Sequence, residues 1–313
     1  MEIHRDLNRL PLFRNAAITT GTFDGVHKGH LKIISQLKDI ALKENGESVL
    51  VTFHPHPRLV LQKNSALQLL NSFEEKMELL ELQGIDHVVV VQFTKEFSDT
   101  PPDKYISDFL IGKLHARSII TGYDHRFGKD RKGDYKLLEA LSPVYNYSVH
   151  EIPAYVLEEI TISSTKIREA LLSGDIDTAN ECLGYDYFLE GTVVKGNQIG
   201  RTIGFPTANI QVEDNHKLIP GYGIYAIEAT LPGDAQKIQG MMSIGIRPTI
   251  TDNRLTIEAN LFDFNEDLYG RRIRVSLKTY LRPELKFDSL DALTQKIRED
   301  ELRIRAWFQN RKQ

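Results

Sequence analysis

Apolar residues in the first half of the chain fall into short runs separated by amphipathic stretches. Ala16-Ala17-Ile18 predicts a short strand, and Leu31 to Ala41 repeats its apolar residues at helical spacing. Between them, Thr19 to His30 reads as a strand-to-helix turn. Ser48 to Phe53, His87 to Val91 and Ser118 to Thr121 are short apolar runs bounded by polar, glycine or proline residues, as buried parallel strands are. Phe73 to Leu82 carries Met77, Leu79, Leu80 and Leu82 among glutamates, an amphipathic helix closed by Gly84, and Tyr105 to Leu114 is another helix. Strand and helix alternate, which predicts a parallel sheet with helices on both faces. Ligands in such sheets sit beyond the carboxyl ends of the strands.

The period changes after a short helix over Asp175 to Leu183 and a joint at Gly184-Tyr185. Phe188 to Lys195, Tyr222 to Leu231, Gly240 to Ile246, Thr256 to Phe264 and Arg271 to Leu281 are strand-like. Ile273, Val275 and Leu277 alternate with Arg272, Arg274, Ser276 and Lys278, a half-buried antiparallel strand. Strands at this spacing predict a small barrel or sandwich. Ser289 to Phe308 closes the chain as an amphipathic helix, with Leu290, Leu293, Ile297 and Trp307 expected to pack on the barrel. Domains are therefore expected at 1–183 and 184–313.

A length of 313 residues suits two domains, and 41% hydrophobic with 26% charged residues is a globular composition. A net charge of −4 gives no general attraction to nucleic acid or to anionic membrane. The lone Cys182 excludes an intrachain disulfide and a multi-cysteine metal site, and its helical setting reads as a buried structural thiol. MEIHRDLNRL has no apolar signal region, and no run reaches the roughly 18 apolar residues of a membrane span. A cytoplasmic protein is expected, with its oligomeric state left open.

The turn at Thr19 to His30 carries the first candidate chemistry. Gly21 and Gly25 allow backbone to approach a ligand, and His27 and His30 lie one helical turn apart beside free backbone N–H groups. Two imidazoles can donate hydrogen bonds to phosphate oxygens whose charge grows in a reaction. A metal site lacks a third ligand in the stretch, and an ordinary glycine-rich turn with two exposed histidines remains open on spacing alone. TFDGVHKGH, however, resembles the signature of HxGH nucleotidyltransferases in the form found in prokaryotic FAD synthetases. The resemblance implies that His27 and His30 are catalytic, binding ATP phosphates, with Gly21, Phe23, Asp24 and Gly29 completing that part of the ATP site. It also places a strand-end loop at His54-Pro55-His56-Pro57, with His54 where the family has an acid.

Two further segments extend the resemblance. Gly122 to Gly133 mixes glycines, an acid, basic residues and aromatics, either a solvated basic loop or a clamp for an aromatic phosphorylated ligand. It resembles the family's G-x-D-F-x-F-G loop, with His125 in place of a phenylalanine, which implies FMN-binding roles for Asp124, His125 and Phe127. Ile162 to Arg168 opens a helix with serines, and a helix start with Lys166 and Arg168 can hold an anion as well as cap itself. It resembles the ISSTxIR motif, implying that Ser164, Thr165, Lys166 and Arg168 bind the triphosphate.

The second half has one glycine-rich loop, Gly196 to Asn209, whose Lys195 and Arg201 suit phosphate. Gly204-Phe205-Pro206-Thr207-Ala208-Asn209 resembles the GFPTAN signature of riboflavin kinases, and Ser243 to Thr249 and Thr256 to Phe264 resemble two further segments of that family. This implies ATP binding by Gly196, Gly200, Arg201, Gly204, Pro206, Thr207 and Asn209. Thr207 and Asn209, as hard oxygen donors, are implied Mg²⁺ ligands. Glu258, otherwise an ordinary salt-bridged strand residue, is implied as the general base, and Asn260 stands where the family has histidine.

The expected fold is α/β + β: an N-terminal Rossmann-like parallel-sheet nucleotidyltransferase domain and a small C-terminal antiparallel β-barrel with a closing helix. The expected function is phosphorylation of riboflavin by ATP to FMN, then adenylyl transfer from a second ATP to give FAD and pyrophosphate, with Mg²⁺. Two alternatives stay open: one activity alone is retained, or the protein senses flavin or nucleotide without turnover. Glu258, Thr207, Asn209 and both histidines argue against a sensor, which needs no base.

Overall fold

The computed structural model describes residues 1–62, 66–123, 125–152, 162–196, 199–234, 236–248 and 253–311. They form two compact units, Met1–Ser164 and Thr165–Gln313.

In the first unit, β1 (Glu2–His4), β2 (Ala17–Thr20), β3 (Ser48–His54), β4 (His87–Gln92), β5 (Ser118–Gly122) and β6 (Ser148–Ile152) form one sheet in the order β1-β4-β3-β2-β5-β6. Every pairing in it is parallel. β5 is buried at every position and β3 at its first five, so both faces of these strands are covered. That is why they read as continuous apolar runs rather than alternating ones. On one face Ile18, Val49, Val51, Val89, Val91 and Ile119 pack against Tyr105, Phe109 and Leu110. The segment Tyr105–Ile111 is wound as a π-helix rather than the expected α-helix, with Gly112 N donating to Ser107 O at 2.9 Å. α1 (Lys28–Lys43) follows β2 and buries Ile34, Leu37, Ile40 and Ala41. A helix at Tyr135–Tyr145, capped by Asp134, and the strands β1 and β6 were not expected.

The chain runs outward from β2 through β3 to β4, then returns to the other side of β2 as β5. The order therefore reverses between β2 and β5, where the loops after both strands leave a crevice for a ligand.

The second unit is a closed barrel of antiparallel strands in the order β10-β11-β8-β7-β12-β9. The strands are β7 (Phe188–Val194), β8 (Ala208–Gln211), β9 (Gly223–Thr230), β10 (Ile238–Pro248), β11 (Asn253–Leu261) and β12 (Arg272–Arg282). β7 alternates buried and half-buried positions from Leu189 onward, the signature of a strand with one face inward. Closure removes the exposed sheet edges that would otherwise template aggregation. β8, only four residues long, lies inside the glycine-rich loop and was not expected.

The helix Leu290–Asn310 packs on Ala226, Met241 and Phe262 through Ile304 and Phe308, with Ile297 and Trp307 partly buried beside them. Leu290 departs from the expectation: it opens the helix and is 60% exposed. Its place on the buried stripe is taken by Asp300, which accepts from Arg282 Nε at 2.8 Å. The helices Ser164–Ser173 and Ile176–Leu183 belong almost wholly to this compact unit. Asn180 ties them to the barrel, donating to Leu277 O at 2.9 Å and accepting from Tyr187 N at 2.7 Å. Compactness thus divides the chain at Ser164, ahead of the joint expected at Gly184. Cys182 is free and buried.

Candidate functional site

The first group forms on the loop between β2 and α1. His27 is the N-cap of α1, and its Nδ1 accepts from His30 N at 3.4 Å. The two rings stack with centroids 3.7 Å apart and planes 14° from parallel. Phe23 lies on the other side of His30 at 5.1 Å. His30 as a whole is half-buried, while its Nδ1 is buried with no hydrogen-bond partner among the described residues. Burial, reinforced by His27 and Lys76, holds His30 well below the usual imidazole range, so it is neutral at pH 7. A neutral ring with an unsatisfied nitrogen is suited to meet an incoming oxygen anion.

The loop that carries these rings is held from several directions. Asp24 Oδ1 accepts from Leu70 N at 2.9 Å, and Asp24 O accepts from Ser164 Oγ at 2.9 Å. Thr22 O accepts from Thr52 Oγ1 at 3.1 Å and from Lys76 Nζ at 3.2 Å. Phe23 and Val26 have φ of +49° and +38°, a region that bulky side chains rarely enter. Such backbone persists where its surroundings over-determine it. A Cβ at Gly21 would lie 3.0 Å from the Phe23 ring, and one at Gly29 3.1 Å from the His27 ring.

Lys76 is the functional candidate that sequence reasoning missed. It sits on the helix Phe73–Glu81, started by a capping box between Ser72 and Glu75. Burial pushes its amine down to about 8, while Asp24 opposes the shift. Its signal was present: Phe73, Lys76, Met77 and Leu80 share one helical face, and a lysine does not belong on an apolar face without a partner.

The loop after β5 reaches the same end of β2, because His125 Nε2 lies 3.0 Å from Thr20 Oγ1. Phe127 is only 7% exposed, stacked on Tyr105 at 5.2 Å, so its ring is part of the core and orders the loop. Asp124 lies outside the described residues. His54 is exposed and its ring packs on Phe73 at 4.8 Å. Ser164 opens the helix on which Thr165 and Lys166 are exposed and Arg168 is half-buried.

The second group is in the barrel. Register places Glu258 of β11 opposite Asn209 of β8 and Ser243 of β10. Thr207 Oγ1 donates to Glu258 Oε2 at 3.2 Å. The Asn209 side chain packs so closely on Gly196 that a Cβ there would overlap it, and a Cβ at Gly200 would overlap Phe205 O. Gly204, with φ +85°, and the exposed Arg201 shape the rest of the loop. Asn260 Nδ2 donates to Pro206 O at 2.7 Å, so the residue standing in for histidine anchors this turn.

Two cavities meet at Thr207. One of about 370 Å³ is lined by Arg201, Pro206, Thr207 and Tyr269 and carries acids at Glu266 and Asp267. The other, about 230 Å³, holds Glu258 among Ile203, Phe205, Met241, Met242, Leu285 and Phe287. A mixed hollow with an arginine suits a nucleotide, and a mostly apolar one suits a flat ring system. Thr207 is the residue common to both linings, and its hydroxyl bonds to the carboxylate. Tyr269, with Lys195 Nζ 6.0 Å above its ring, is a further lining residue to which sequence reading gave no role.

A parallel-sheet unit with imidazoles at its switch point, followed by a barrel with a carboxylate bonded to the threonine that two hollows share, is an arrangement that suits a two-site group-transfer enzyme. The sequence pattern of FAD synthetase matches residues 11–166, and that of riboflavin kinase matches residues 183–308. The bifunctional riboflavin kinase/FMN adenylyltransferase of Listeria monocytogenes serovar 1/2a (strain ATCC BAA-679 / EGD-e) is 36% identical over 94% of this chain and 93% of its own. That of Escherichia coli (strain K12) is 35% identical over 93% and 92%. The chain belongs to the bifunctional riboflavin kinase/FMN adenylyltransferase family. A crystal structure titled as a macrolide-efflux protein from Streptococcus pneumoniae superposes with a TM-score of 0.88 at 29% identity, covering 98% of this chain and all of that one. Among the described residues here, no helix is long and apolar enough to cross a membrane.

Proposed function

We infer that this chain phosphorylates riboflavin to FMN in its barrel and joins AMP from ATP to FMN in its parallel-sheet unit. The observation that carries the reading is the pairing of two chemically distinct sites: stacked histidines at a sheet switch point, and a carboxylate in a mostly apolar hollow, bonded to the hydroxyl that this hollow shares with a mixed one. We assign adenylyl transfer to residues 1–183 and phosphorylation to residues 184–313.

In the barrel, the apolar hollow takes the isoalloxazine and leaves the ribityl 5′-hydroxyl near Glu258. That oxygen attacks the γ-phosphorus of ATP, its proton passes to Glu258, and ADP leaves. Thr207 and Asn209 offer neutral oxygens next to a carboxylate, a donor set that fits Mg²⁺. The ion would neutralise charge on the phosphates. Gly196, Gly200, Arg201, Gly204 and Pro206 would frame the same nucleotide.

In the first unit, a phosphate oxygen of FMN attacks the α-phosphorus of ATP and pyrophosphate leaves. His27 and His30 would donate hydrogen bonds to the oxygens on which charge develops, on a loop set by Gly21, Phe23, Asp24 and Gly29. Ser164, which ends this unit and bonds to the loop, would border the departing pyrophosphate. His125 would border the flavin, with Phe127 supporting its loop from the core. We place this work in the cytoplasm, where ATP and Mg²⁺ are supplied.

The test is a time course with riboflavin, excess ATP and Mg²⁺, with flavins separated by chromatography. FMN followed by FAD is expected. FMN alone, with no FAD from added oxidised or reduced FMN, would leave the kinase and remove the second activity. Flavin binding without ATP consumption would replace both with a sensor.

A further inference from the structure

At the opposite end of the first sheet from the nucleotide loops, Glu2, His4 and His87 converge. β1 pairs parallel with β4, and Glu2 and His87 are register partners. Glu2 and His4 are two apart on a strand, so their side chains share a face. His4 Nε2 and His87 Nδ1 are 3.1 Å apart, and Glu2 Oε2 lies 3.9 Å from the first and 3.7 Å from the second. Among the described residues, this is the group of three His, Cys, Asp or Glu side chains able to surround one ion.

We propose that Glu2, His4 and His87 form a site for a Zn²⁺-class divalent metal that fastens the edge strand β1 to β4. Imidazole nitrogens and a carboxylate are the ligands such ions favour over Mg²⁺. Two nitrogens bound tetrahedrally to zinc at about 2.0–2.1 Å lie about 3.3 Å apart, close to the observed separation. The carboxylate needs to close only by a few tenths of an ångström, and Glu2 is exposed and able to swing. Both histidine side chains are about 85% buried, and Phe13 packs on them at 5.5 and 5.0 Å, fixing the rings. Glu47 Oε2 lies 3.6 Å from His87 Nε2, the far ring nitrogen, and itself accepts from Arg14 N at 2.9 Å. A carboxylate behind a ligating histidine orients the ring and raises its basicity. The alternative is a direct His4–His87 hydrogen bond with a proton where the ion would sit. The inference is independent of the activities proposed above.

The full chain, without an affinity tag, is stripped of metal and titrated with ZnCl₂ by calorimetry in excess Mg²⁺, with Co²⁺ absorption as a second readout. One equivalent of Zn²⁺, tetrahedral Co²⁺ bands and a raised Tm are expected. Glu2→Gln, an exposed change that leaves folding intact, should weaken Zn²⁺ at least tenfold, and Glu47→Gln about tenfold. His4→Gln with His87→Gln should abolish it. No stoichiometric binding, or binding that survives Glu2→Gln and the double variant unchanged, overturns the proposal.

Discussion

Gly29→Ala separates the stability of the fold from the chemistry of the first site. The added Cβ would stand 3.1 Å from both Cε1 and Nδ1 of His27. Ordinary van der Waals contact begins at about 3.5 Å, so the ring must retreat by a few tenths of an ångström. Its retreat is limited, because the ring is stacked on His30 at 3.7 Å and the His30 ring lies 5.1 Å from that of Phe23. The displacement therefore passes to both imidazoles. A 1 Å misplacement of a reacting group costs on the order of a hundredfold, so a shift of a third of that predicts about a fivefold to tenfold fall in kcat for adenylyl transfer. Stability should move the other way. Replacing helical glycine with alanine gains up to about 1 kcal/mol, less in the first turn, and the contact strain offsets part of it. Urea unfolding read beside single-turnover FAD formation checks both. Wild-type FAD formation at saturating substrates would refute the idea that the stacked pair must keep its position. A protein destabilised by several kcal/mol would mean the variant reports packing instead.

Other variants divide the two sites. His30→Ala should reduce FAD formation below detection and leave FMN formation from riboflavin within a factor of two, measured by chromatography on the same sample. Glu258→Gln should do the reverse, lowering the kinase rate by about 10²–10⁴ with FMN-to-FAD conversion unchanged. Removal of Mg²⁺ by EDTA should stop both reactions, and restored Mg²⁺ should recover both. Lys76 has an amine lowered from 10.5 to about 8, so between those values the unfolded chain binds more protons and stability rises with pH. The shift corresponds to about 3 kcal/mol gained from that group between pH 8 and 10.5, and Lys76→Met should flatten the rise in denaturant titrations across that range. An unchanged pH slope would refute the buried ammonium.

The motifs were legible because they are local. TFDGVHKGH, ISSTKIR and GFPTAN each fit within a few turns of chain, and the structure places each at a turn or helix start. What was missed depends on distant partners or on short length. Lys76 counted as one more charge on an amphipathic helix, and its bonds to Thr22 O and Thr52 Oγ1, 54 and 24 residues earlier, go with its burial. Asp24 acquires Leu70 N from 46 residues away. β1 and β8 have three and four residues, too few for a period to show. The helix Tyr135–Tyr145 carries Pro143 inside it, a residue that reads as a break. The π winding of Tyr105–Ile111 leaves the apolar pattern of a helix unchanged. The expected site ring Phe127 is covered by Tyr105, a contact across a strand and a loop.

The two sites reach their chemistry by opposite physical routes. The loop ahead of α1 and its supports concentrate unfavourable terms: two bulky residues at positive φ, a buried amine on Lys76 and a buried imidazole nitrogen without a hydrogen-bond partner among the described residues. Each strained residue costs about 1–3 kcal/mol, and such states survive only where surrounding bonds leave no alternative. Asp24 to Leu70, Thr52 and Lys76 to Thr22, and Ser164 to Asp24 are those bonds. Relaxing the loop would satisfy its own groups and move the imidazoles. The barrel carboxylate, Glu258, is half-buried, accepts from the Thr207 hydroxyl, and is held by strand register on both sides. A developing charge on an α-phosphate has to be met by donors fixed beforehand, whereas a base that only removes a proton needs access and the right neighbour. Strain therefore belongs at the first site and openness at the second.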